Sequence, residues 1–307
     1  MTVKLWLGKL RTLFLGDRER KGLLVLLILY VMLIDIALMY LNPFLYMIST
    51  MFKSTADLLD PTVRWIPTAV EWDNLRLAWE GLKFPTALKN SLIISLSSAV
   101  GQVVFCSLTG YAFARIKFPG RNLLFGILIF SFLIPPQTLI IPLYVLFRNL
   151  DLLGSPLAII APALLGHGLR GALFVIIFRQ FFLTLPRELE DAALIDGAGL
   201  FRVFLKVMIP LAKPAILVVF LFSFVWHWNE TFISGLVLNG NNLPLSLSLF
   251  RLDKVLSGLY ADGEMGFDLN ETIRMAASFL IILPPLVVYM IAQRWFVEGV
   301  ERTGLVE

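Results

Sequence analysis

The sequence predicts an all-α integral membrane protein with six transmembrane helices and both termini in the cytoplasm. Three features of the sequence support this: a strongly apolar composition, six long segments with at most one charge each, and an uneven distribution of Lys and Arg between loops. Of the 307 residues, 58% are hydrophobic and 16% are charged, whereas soluble domains have about 45–50% apolar and about 25% charged residues. A soluble fold could not cover its surface with so few polar groups.

Six segments are long and apolar enough to be spans, because a helix needs about 20 apolar residues to cross a membrane core of about 30 Å. The first is too long for a signal peptide and no small-residue cleavage site follows it, so it is predicted to be a retained helix. Pro135-Pro136 in the third segment, and Pro162 with Gly166 in the fourth, predict kinks or breaks there. The predicted spans cover 22–52, 90–114, 122–147, 152–178, 214–229 with an apolar continuation, and 275–293.

The orientation follows from the positive charges in the flanking segments. With the N-terminus inside, sixteen Lys and Arg residues lie in inside segments and nine lie in outside segments. Because cytoplasmic loops carry an excess of Lys and Arg, this asymmetry favours cytoplasmic termini. Residues 5–14 form an amphipathic stretch that is suited to lying on the membrane surface.

The spans divide the chain into a short leading segment, a membrane domain and a short tail. Residues 1–21 are predicted to be cytoplasmic, 22–298 to form the six-helix membrane domain, and 299–307 to be a cytoplasmic tail. Two long outside loops, 54–86 and 239–271, contain Pro, Gly and acidic residues. They are predicted to be water-exposed contact surfaces.

One inside loop, 186–210, predicts two short amphipathic helices. Pro186 is predicted to start the first helix and Pro210 to end the second. The helices are predicted to meet at Asp196-Gly197, because glycine accepts the left-handed backbone that ends a helix. Their apolar faces fit either packing on the protein's own helices or docking of a soluble partner.

This inside loop resembles the EAA loop of ABC-importer permeases. The family pattern places Pro, Glu-Leu, an acid before Ala-Ala, Asp-Gly-Ala and a later Pro at spacings that this sequence reproduces. Asp191 stands where the family usually has the Glu of Glu-Ala-Ala, and Glu190 beside it offers a second carboxylate. The matching residues are Pro186, Glu188, Leu189, Asp191, Ala192, Ala193, Asp196, Gly197, Ala198 and Pro210.

Other segments resemble the carbohydrate-uptake permeases over nearly the whole chain, although the tail only partly follows the usual ending. The sequence is similar to the smaller, six-span maltose-type permease subunit. This resemblance implies the type I ABC importer permease architecture. The segments that carry it are 42–53, 90–92, 110–121, 134–144, 228–230 and 293–299.

The resemblance also implies partners and a task. The partners are a second permease subunit, two ATP-binding cassette subunits and an extracytoplasmic solute-binding protein, which together move a sugar or oligosaccharide into the cell. The sequence has no Gly-x-x-x-x-Gly-Lys-Ser/Thr loop, so ATP and Mg²⁺ are expected to bind the partner ATPases, and this chain is expected to be neither an enzyme nor a cofactor carrier. The residues implied to couple to the ATPase are Glu188, Glu190, Asp191, Ala192, Ala193, Asp196, Gly197 and Ala198.

A cluster at the end of the fifth span, 226–230, includes His227 and predicts the solute-binding residues Trp226, Trp228, Asn229 and Glu230. Consecutive helix residues point in different directions, so Asn229 with Trp228 or Trp226 is favoured. Aromatic faces stack on sugar rings, and amide or carboxylate groups bind hydroxyls. The alternative is an aromatic belt at the membrane interface. The family handles saccharides, polyols and glycerol phosphate, and Arg170 alone is little positive charge for a phosphorylated solute.

Two other classes of membrane protein compete with this interpretation. An ion-driven secondary transporter or channel also fits six spans, but it needs no ATPase-docking loop, and no internal repeat is visible. A membrane enzyme needs His, Asp or Cys at metal or nucleophile spacing. With two His and the single Cys106 scattered along the chain, no metal site is predicted. The net charge of +4 is attributed to membrane orientation rather than to nucleic acid.

Overall fold

The computed structural model of this chain describes residues 16–17, 20–168, 170–259 and 270–304. The predicted amphipathic stretch at 5–14 lies outside the described residues, as does the end of the predicted tail. The described residues fall into two compact units. One lies within Met1–Leu75 and Gly266–Ala276, and the other within Arg76–Met265 and Ala277–Glu307.

The first unit contains a long, exposed apolar helix. Two short strands, β1 (Gly16–Asp17) and β2 (Arg20–Lys21), pair antiparallel before it. Helix α1 (Leu23–Thr50) follows and buries only Met47 and Thr50. Its other side chains are mostly apolar and exposed, as expected for a helix whose surroundings are lipid or protein rather than water.

The segment after α1 is tied back to the end of α1 by polar contacts. Helix α2 (Thr55–Leu59) begins after Ser54, whose hydroxyl accepts a hydrogen bond from the Asp57 amide. Lys53 Nζ donates to the Val63 and Arg64 carbonyls, both at 2.9 Å. These bonds give the predicted outside loop a defined fold near α1.

The second unit contains most of the remaining helices. Three helices among the described residues are long and apolar enough to cross a membrane by themselves, namely α1, Phe84–Arg115 and the Glu271–Arg294 part of the last helix. The remaining elements are α3 (Asp73–Gly81), α4 (Phe84–Arg115), α5 (Arg121–Leu133), a 3₁₀ turn (Pro136–Leu139), α6 (Ile140–Asn149), α7 (Leu157–Leu164), α8 (Gly171–Thr184), α9 (Glu188–Ile195), α10 (Leu200–Val203), a π-helical turn (Phe204–Met208), α11 (Ile209–Leu211), α12 (Lys213–Trp228), α13 (Phe232–Val237), α14 (Leu245–Leu259) and α15 (Asn270–Gly304).

The predicted breaks at Pro135-Pro136 and at Gly166 are confirmed, whereas Pro162 lies inside α7, which continues to Leu164. Helix α5 ends before Pro135-Pro136, and the chain bends by 95° between α5 and Pro136–Asn149. Proline lacks the amide hydrogen that would continue the helix. Helices α7 and α8 are separated at Gly166 and Gly168, both at φ +70°. Because the separated pieces are short, only three single helices of the described chain are long enough to be spans. The number rises to five if each of two bent helix pairs counts as one span.

Helix α4 is the centre of the second unit and packs against α7, α8 and α12. At Gly110 it approaches α8 so closely that an added Cβ would lie 2.7 Å from Phe178 Cβ and 2.9 Å from the Arg179 amide nitrogen. The core around this contact is aromatic, with Phe174, Phe178 and Phe182 of α8 fully buried. A small residue is therefore needed where these two helices meet.

The second outside loop is more structured than the sequence predicted. Helix α14 lies within it and buries Leu245, Leu252 and Leu256. Asn90 Nδ2, at the start of the second predicted span, donates to the Asn241 carbonyl at 2.7 Å. The prediction of a water-exposed contact surface is therefore wrong for the apolar face of α14, because these leucines share one helical face and pack inward.

Candidate functional site

Residues 186–210, which we call the coupling segment, form the predicted helix–turn–helix. Helix α9 ends at Ile195, and the chain reverses through Gly197, whose φ is +79°. Helix α10 then begins at Leu200. The predicted turn at Asp196-Gly197 is therefore confirmed, and it uses the left-handed backbone that glycine adopts without strain.

The predicted end of the second helix is wrong by one residue. Pro210 lies inside α11, and the helical chain continues to Leu211 before it turns by 79° into α12. The π-helical turn Phe204–Met208 directly precedes this proline. Proline is tolerated there because it stands in the first turn of a helical piece, where its missing amide hydrogen leaves no bond unmade.

A polar contact ties the coupling segment to α4. The guanidinium Nε of Arg115 lies 3.3 Å from Glu190 Oε1, with the two side chains only 4% and 14% exposed. Arg115 also donates to the carbonyl of Phe182, at 2.5 Å, and to that of Leu185, both near the end of α8. Burial raises the pKa of Glu190, and the nearby Arg115 opposes that rise. One arginine thus joins α4, α8 and α9.

An aromatic contact ties the second half of the coupling segment to the same core. Phe204 is buried, and its ring centroid lies 5.2 Å from that of Tyr111 and 6.5 Å from that of Phe182. Val203 and Met208 beside it are also buried. One face of the segment therefore packs on the protein's own helices, which is one of the two alternatives that the sequence left open.

The opposite face of the coupling segment is exposed. Ile195 is 86% exposed, and Leu194, Leu200 and Phe201 are exposed beside it. This apolar surface carries carboxylates at its edge, which suits contact with a protein partner. Of the predicted coupling residues, Ala193, Ala198 and Glu190 are partly buried, whereas the exposed ones are Glu188, Asp191, Ala192, Asp196 and Gly197.

A pocket lies where the broken helices meet. Its wall comes from the α5–α6 break, the α7–α8 break and the end of α12. Most of the lining is apolar. The side chains that bring polar atoms are Ser131, His167, Arg170, His227 and Glu230.

Glu230 is the one predicted solute-binding residue that lines this pocket. Its carboxylate accepts hydrogen bonds from the Ile233 amide at 2.6 Å, the Ser234 amide at 2.7 Å and the Ser234 hydroxyl at 2.6 Å. These bonds satisfy the free amides at the start of α13. Glu230 therefore shapes the pocket wall while its carboxylate is held by the protein.

The other three predicted solute-binding residues lie away from the pocket wall. The Trp226 ring stacks on Phe174 at 5.4 Å and lies 5.5 Å from the Arg170 guanidinium. Trp228 is buried and donates from Nε1 to the Ile281 carbonyl at 3.2 Å. Asn229 is exposed. Their roles in binding stay predictions, and Trp226 contacts the wall residue Arg170.

His227 belongs to the same cluster of the sequence but was not among the predicted solute-binding residues. It is 2% exposed and lines the pocket near the end of α12. The signal in the sequence was an ionisable ring at the end of an otherwise apolar span, which is expensive in a membrane and therefore a functional candidate. Among the residues with described positions, no group of three His, Cys, Asp or Glu side chains could hold a metal ion.

The fold and these sites define a helical membrane protein with a pocket at broken helices and a two-helix segment that has an exposed apolar face. Residues 90–302 match the family of binding-protein-dependent transport system inner membrane components, and the chain belongs to that family. The family that the resemblance to ABC-importer permeases predicted is therefore confirmed. The chain is a multi-pass transport component of the inner membrane.

Curated relatives agree with this family. The sn-glycerol-3-phosphate transport system permease protein UgpE of Pectobacterium atrosepticum is 32% identical over 76% of this chain and 81% of its own length. A probable ABC transporter permease protein of Pyrococcus horikoshii is 30% identical over 86% and 92%. A putative ABC transporter permease protein of a Caldicellulosiruptor species is 33% identical over 84% and 88%.

A solved structure shares the fold. It is that of a bacterial ABC transporter involved in the import of the acidic polysaccharide alginate. One of its chains superposes with a TM-score of 0.71 and 24% identity, covering 88% of this chain and 95% of that one. The arrangement of broken helices around α4 is therefore a fold that an ABC transporter also uses.

Proposed function

We propose that this chain is the transmembrane permease subunit of an ATP-driven importer that moves a sugar or oligosaccharide into the cell. It works with a sister permease, two ATP-binding cassette subunits and an extracytoplasmic binding protein. The observation that carries the proposal is the coupling segment, which has one face anchored by Arg115 and Phe204 and an opposite face exposed. An ion-driven carrier or channel needs no such surface.

The proposed topology has six spans with both termini in the cytoplasm. The spans are α1, α4, α5 with α6, α7 with α8, α12 with α13, and α15. The third, fourth and fifth spans each consist of two helical pieces. A membrane tolerates such breaks where the freed backbone groups lie inside protein. The excess of Lys and Arg on the side of the coupling segment supports this orientation.

The coupling segment transmits the ATPase cycle to the pocket. When the ATPase dimer closes on ATP and Mg²⁺, it moves the segment through the exposed face near Ile195, and Asp191 pairs with a basic group there. Arg115 passes this motion to α4 and α8, because it holds Glu190 and two carbonyls at the end of α8. Access to the pocket then switches through rigid-body movement of packed helices.

The proposed solute is a carbohydrate, supported by the carbohydrate-uptake pattern in the sequence and by a mainly apolar pocket with a few polar groups. A second candidate is a phosphorylated polyol. It is favoured by the relative named as an sn-glycerol-3-phosphate permease and by Arg170 in the pocket wall. Glu230 in the same wall opposes an anion.

The test is affinity purification of the tagged chain from its native host in mild detergent, followed by ATPase assays with candidate sugar-binding proteins. Recovery of a second permease and two ATPase subunits, with ATPase turnover raised by a loaded binding protein, is the expected result. A chain that purifies without ATPase, and that takes up solute under an ion gradient alone, would contradict the proposal. The binding protein that stimulates turnover also distinguishes a sugar from a phosphorylated polyol.

A further inference from the structure

One histidine in the pocket wall has a buried ring nitrogen to which no described group of the protein hydrogen-bonds. His227 is 2% exposed and lines the pocket, and its Nε2 has no hydrogen-bond partner among the described residues. Buried polar atoms are almost always bonded, because an unpaired one costs free energy. A group of this kind in a pocket wall points to a partner that arrives with the solute.

The protein fixes which kind of hydrogen bond this nitrogen can make. His227 Nδ1 lies 2.8 Å from the Ser223 carbonyl oxygen. A carbonyl only accepts, so Nδ1 carries the hydrogen, and in the neutral ring Nε2 is left as an acceptor with a free lone pair. The tautomer is thus assigned from its hydrogen-bond partner.

A buried polar chain holds the ring in place. The Ser223 hydroxyl donates to Gln102 Oε1 at 2.6 Å, and Gln102 Nε2 donates to the His167 carbonyl at 2.8 Å. This chain links α12 to α4 and to the α7–α8 break. Because Ser223 is tied to Gln102 and its carbonyl holds Nδ1, the imidazole of this wall residue keeps one orientation.

The other polar groups of the wall complement His227. The Glu230 carboxylate is occupied by three bonds at the start of α13, and Ser131 Oγ donates to the Leu128 carbonyl at 2.7 Å. Arg170 is a donor only. A hydroxyl can donate to His227 Nε2, whereas an oxygen without a hydrogen presents only lone pairs to it.

We propose that His227 Nε2 accepts a hydrogen bond from a hydroxyl of the transported solute, and that this bond makes the pocket selective for solutes that carry this hydroxyl over analogues that lack it. The inference rests on the proposed importer function and adds a solute class and a contact atom to it. Loss of one such bond corresponds to about a tenfold change in uptake.

The test uses the complete transporter in proteoliposomes, with maltose, trehalose, sorbitol and sn-glycerol 3-phosphate as probes, each with a matched binding protein. The probe with the highest uptake is then compared with its monodeoxy derivatives. Two variants are measured beside wild type. His227→Phe keeps a planar ring without a nitrogen acceptor, and His227→Gln keeps a polar group that can accept.

We expect wild type to take up one monodeoxy derivative of the chosen probe about tenfold less well than the probe itself. His227→Phe should lose that discrimination, and His227→Gln should retain most of it. The ratio of two uptake rates in one sample is independent of how much variant assembles. Discrimination that is unchanged in His227→Phe would overturn the inference. Wild type that discriminates against none of the monodeoxy derivatives would also overturn it and leave the importer function intact, whereas absence of an ATPase would overturn both.

Discussion

Arg115 Nε lies 3.3 Å from Glu190 Oε1, so a charge at the end of α4 meets a charge in the coupling segment, with both side chains largely buried. Arg115→Met should leave the Glu190 carboxylate unpaired and lower the free energy of unfolding by about 3 kcal/mol, because an uncompensated buried charge is costly. ATP-driven uptake should fall with it. Thermal unfolding of the purified complex and uptake in proteoliposomes measure the two effects.

The control for this prediction is the double variant Arg115→Met with Glu190→Met. It removes both charges, so it should be more stable than Arg115→Met alone. Uptake should stay low in the double variant, since the link between α4 and α9 is still missing. Glu190→Met is measured alone as well. A loss of stability in the double variant that equals the sum of the losses in the two single variants would show that the pair does not interact.

Gly197 tests whether the turn between α9 and α10 must keep its shape. Its φ is +79°, and nothing lies within 4 Å of an added Cβ. Gly197→Val therefore costs only backbone strain, about 1–2 kcal/mol, and should lower uptake and ATPase coupling while membrane insertion continues. Gly199 is the matched control, because it has φ −72° and the same open surroundings. Equal uptake in Gly197→Val and Gly199→Val would contradict a role for the turn.

Gly110 tests the close approach of α4 and α8. Gly110→Ala places a methyl group against the backbone of α8 at Arg179, and forcing the helices apart should cost about 1–3 kcal/mol. Gly126→Ala in α5 is the matched control, since nothing lies within 4 Å of its Cβ position and Ala is the better helix former. We expect a lower midpoint of thermal unfolding for Gly110→Ala alone. The same midpoint in both variants would rule out this contact as a limit on packing.

Asp57 gives a pH-dependent prediction for the loop after α1. The Thr68 hydroxyl donates to its carboxylate at 2.5 Å and the Thr68 amide at 3.0 Å, and these bonds lower the Asp57 pKa below the ordinary value of 3.8. A lowered pKa means that the folded loop favours the charged form. This stabilisation is present above the ordinary pKa and is lost as the pH falls through the folded value.

Asp57→Asn should therefore loosen residues 54–72 at pH 7, with faster backbone hydrogen exchange there than in wild type at the same pH. The difference should disappear once the pH falls below the lowered pKa of the folded state, where wild type also loses the charge. Thr68→Val removes the hydroxyl donor and should produce the same loosening to a smaller degree. A difference between wild type and Asp57→Asn that persists at low pH would contradict this assignment.

Local patterns in the sequence predicted the features that depend on local chemistry. The breaks at Pro135-Pro136 and Gly166, and the turn at Gly197, follow from residues that restrict or free their own backbone. The resemblance to the EAA loop rested on the residues around the same turn at Gly197. The Glu190 contact with Arg115 could not be predicted in this way, since it joins residues 75 positions apart whose spacing on two helices only the packing decides.

The pocket shows a second limit of the sequence. Trp226, Trp228 and Asn229 are neighbours in the chain, but a helix points consecutive side chains in different directions. The fold directs Trp228 toward Ile281 and His227 toward the pocket. Which of them lines the pocket depends on the rotation of α12 against α4, which the pattern of the segment by itself does not set.

Photo-crosslinking from Ile195 tests the central claim, that the exposed face of the coupling segment docks on an ATPase subunit. Ile195 is replaced by a benzoylphenylalanine residue in the intact complex. Ile66 is the matched control, with the same side chain and 83% exposure against 86%, and it lies in the predicted outside loop. We predict a crosslink from Ile195 to an ATPase subunit and none from Ile66. A crosslink to the ATPase from Ile66 and not from Ile195 would contradict both the docking surface and the orientation.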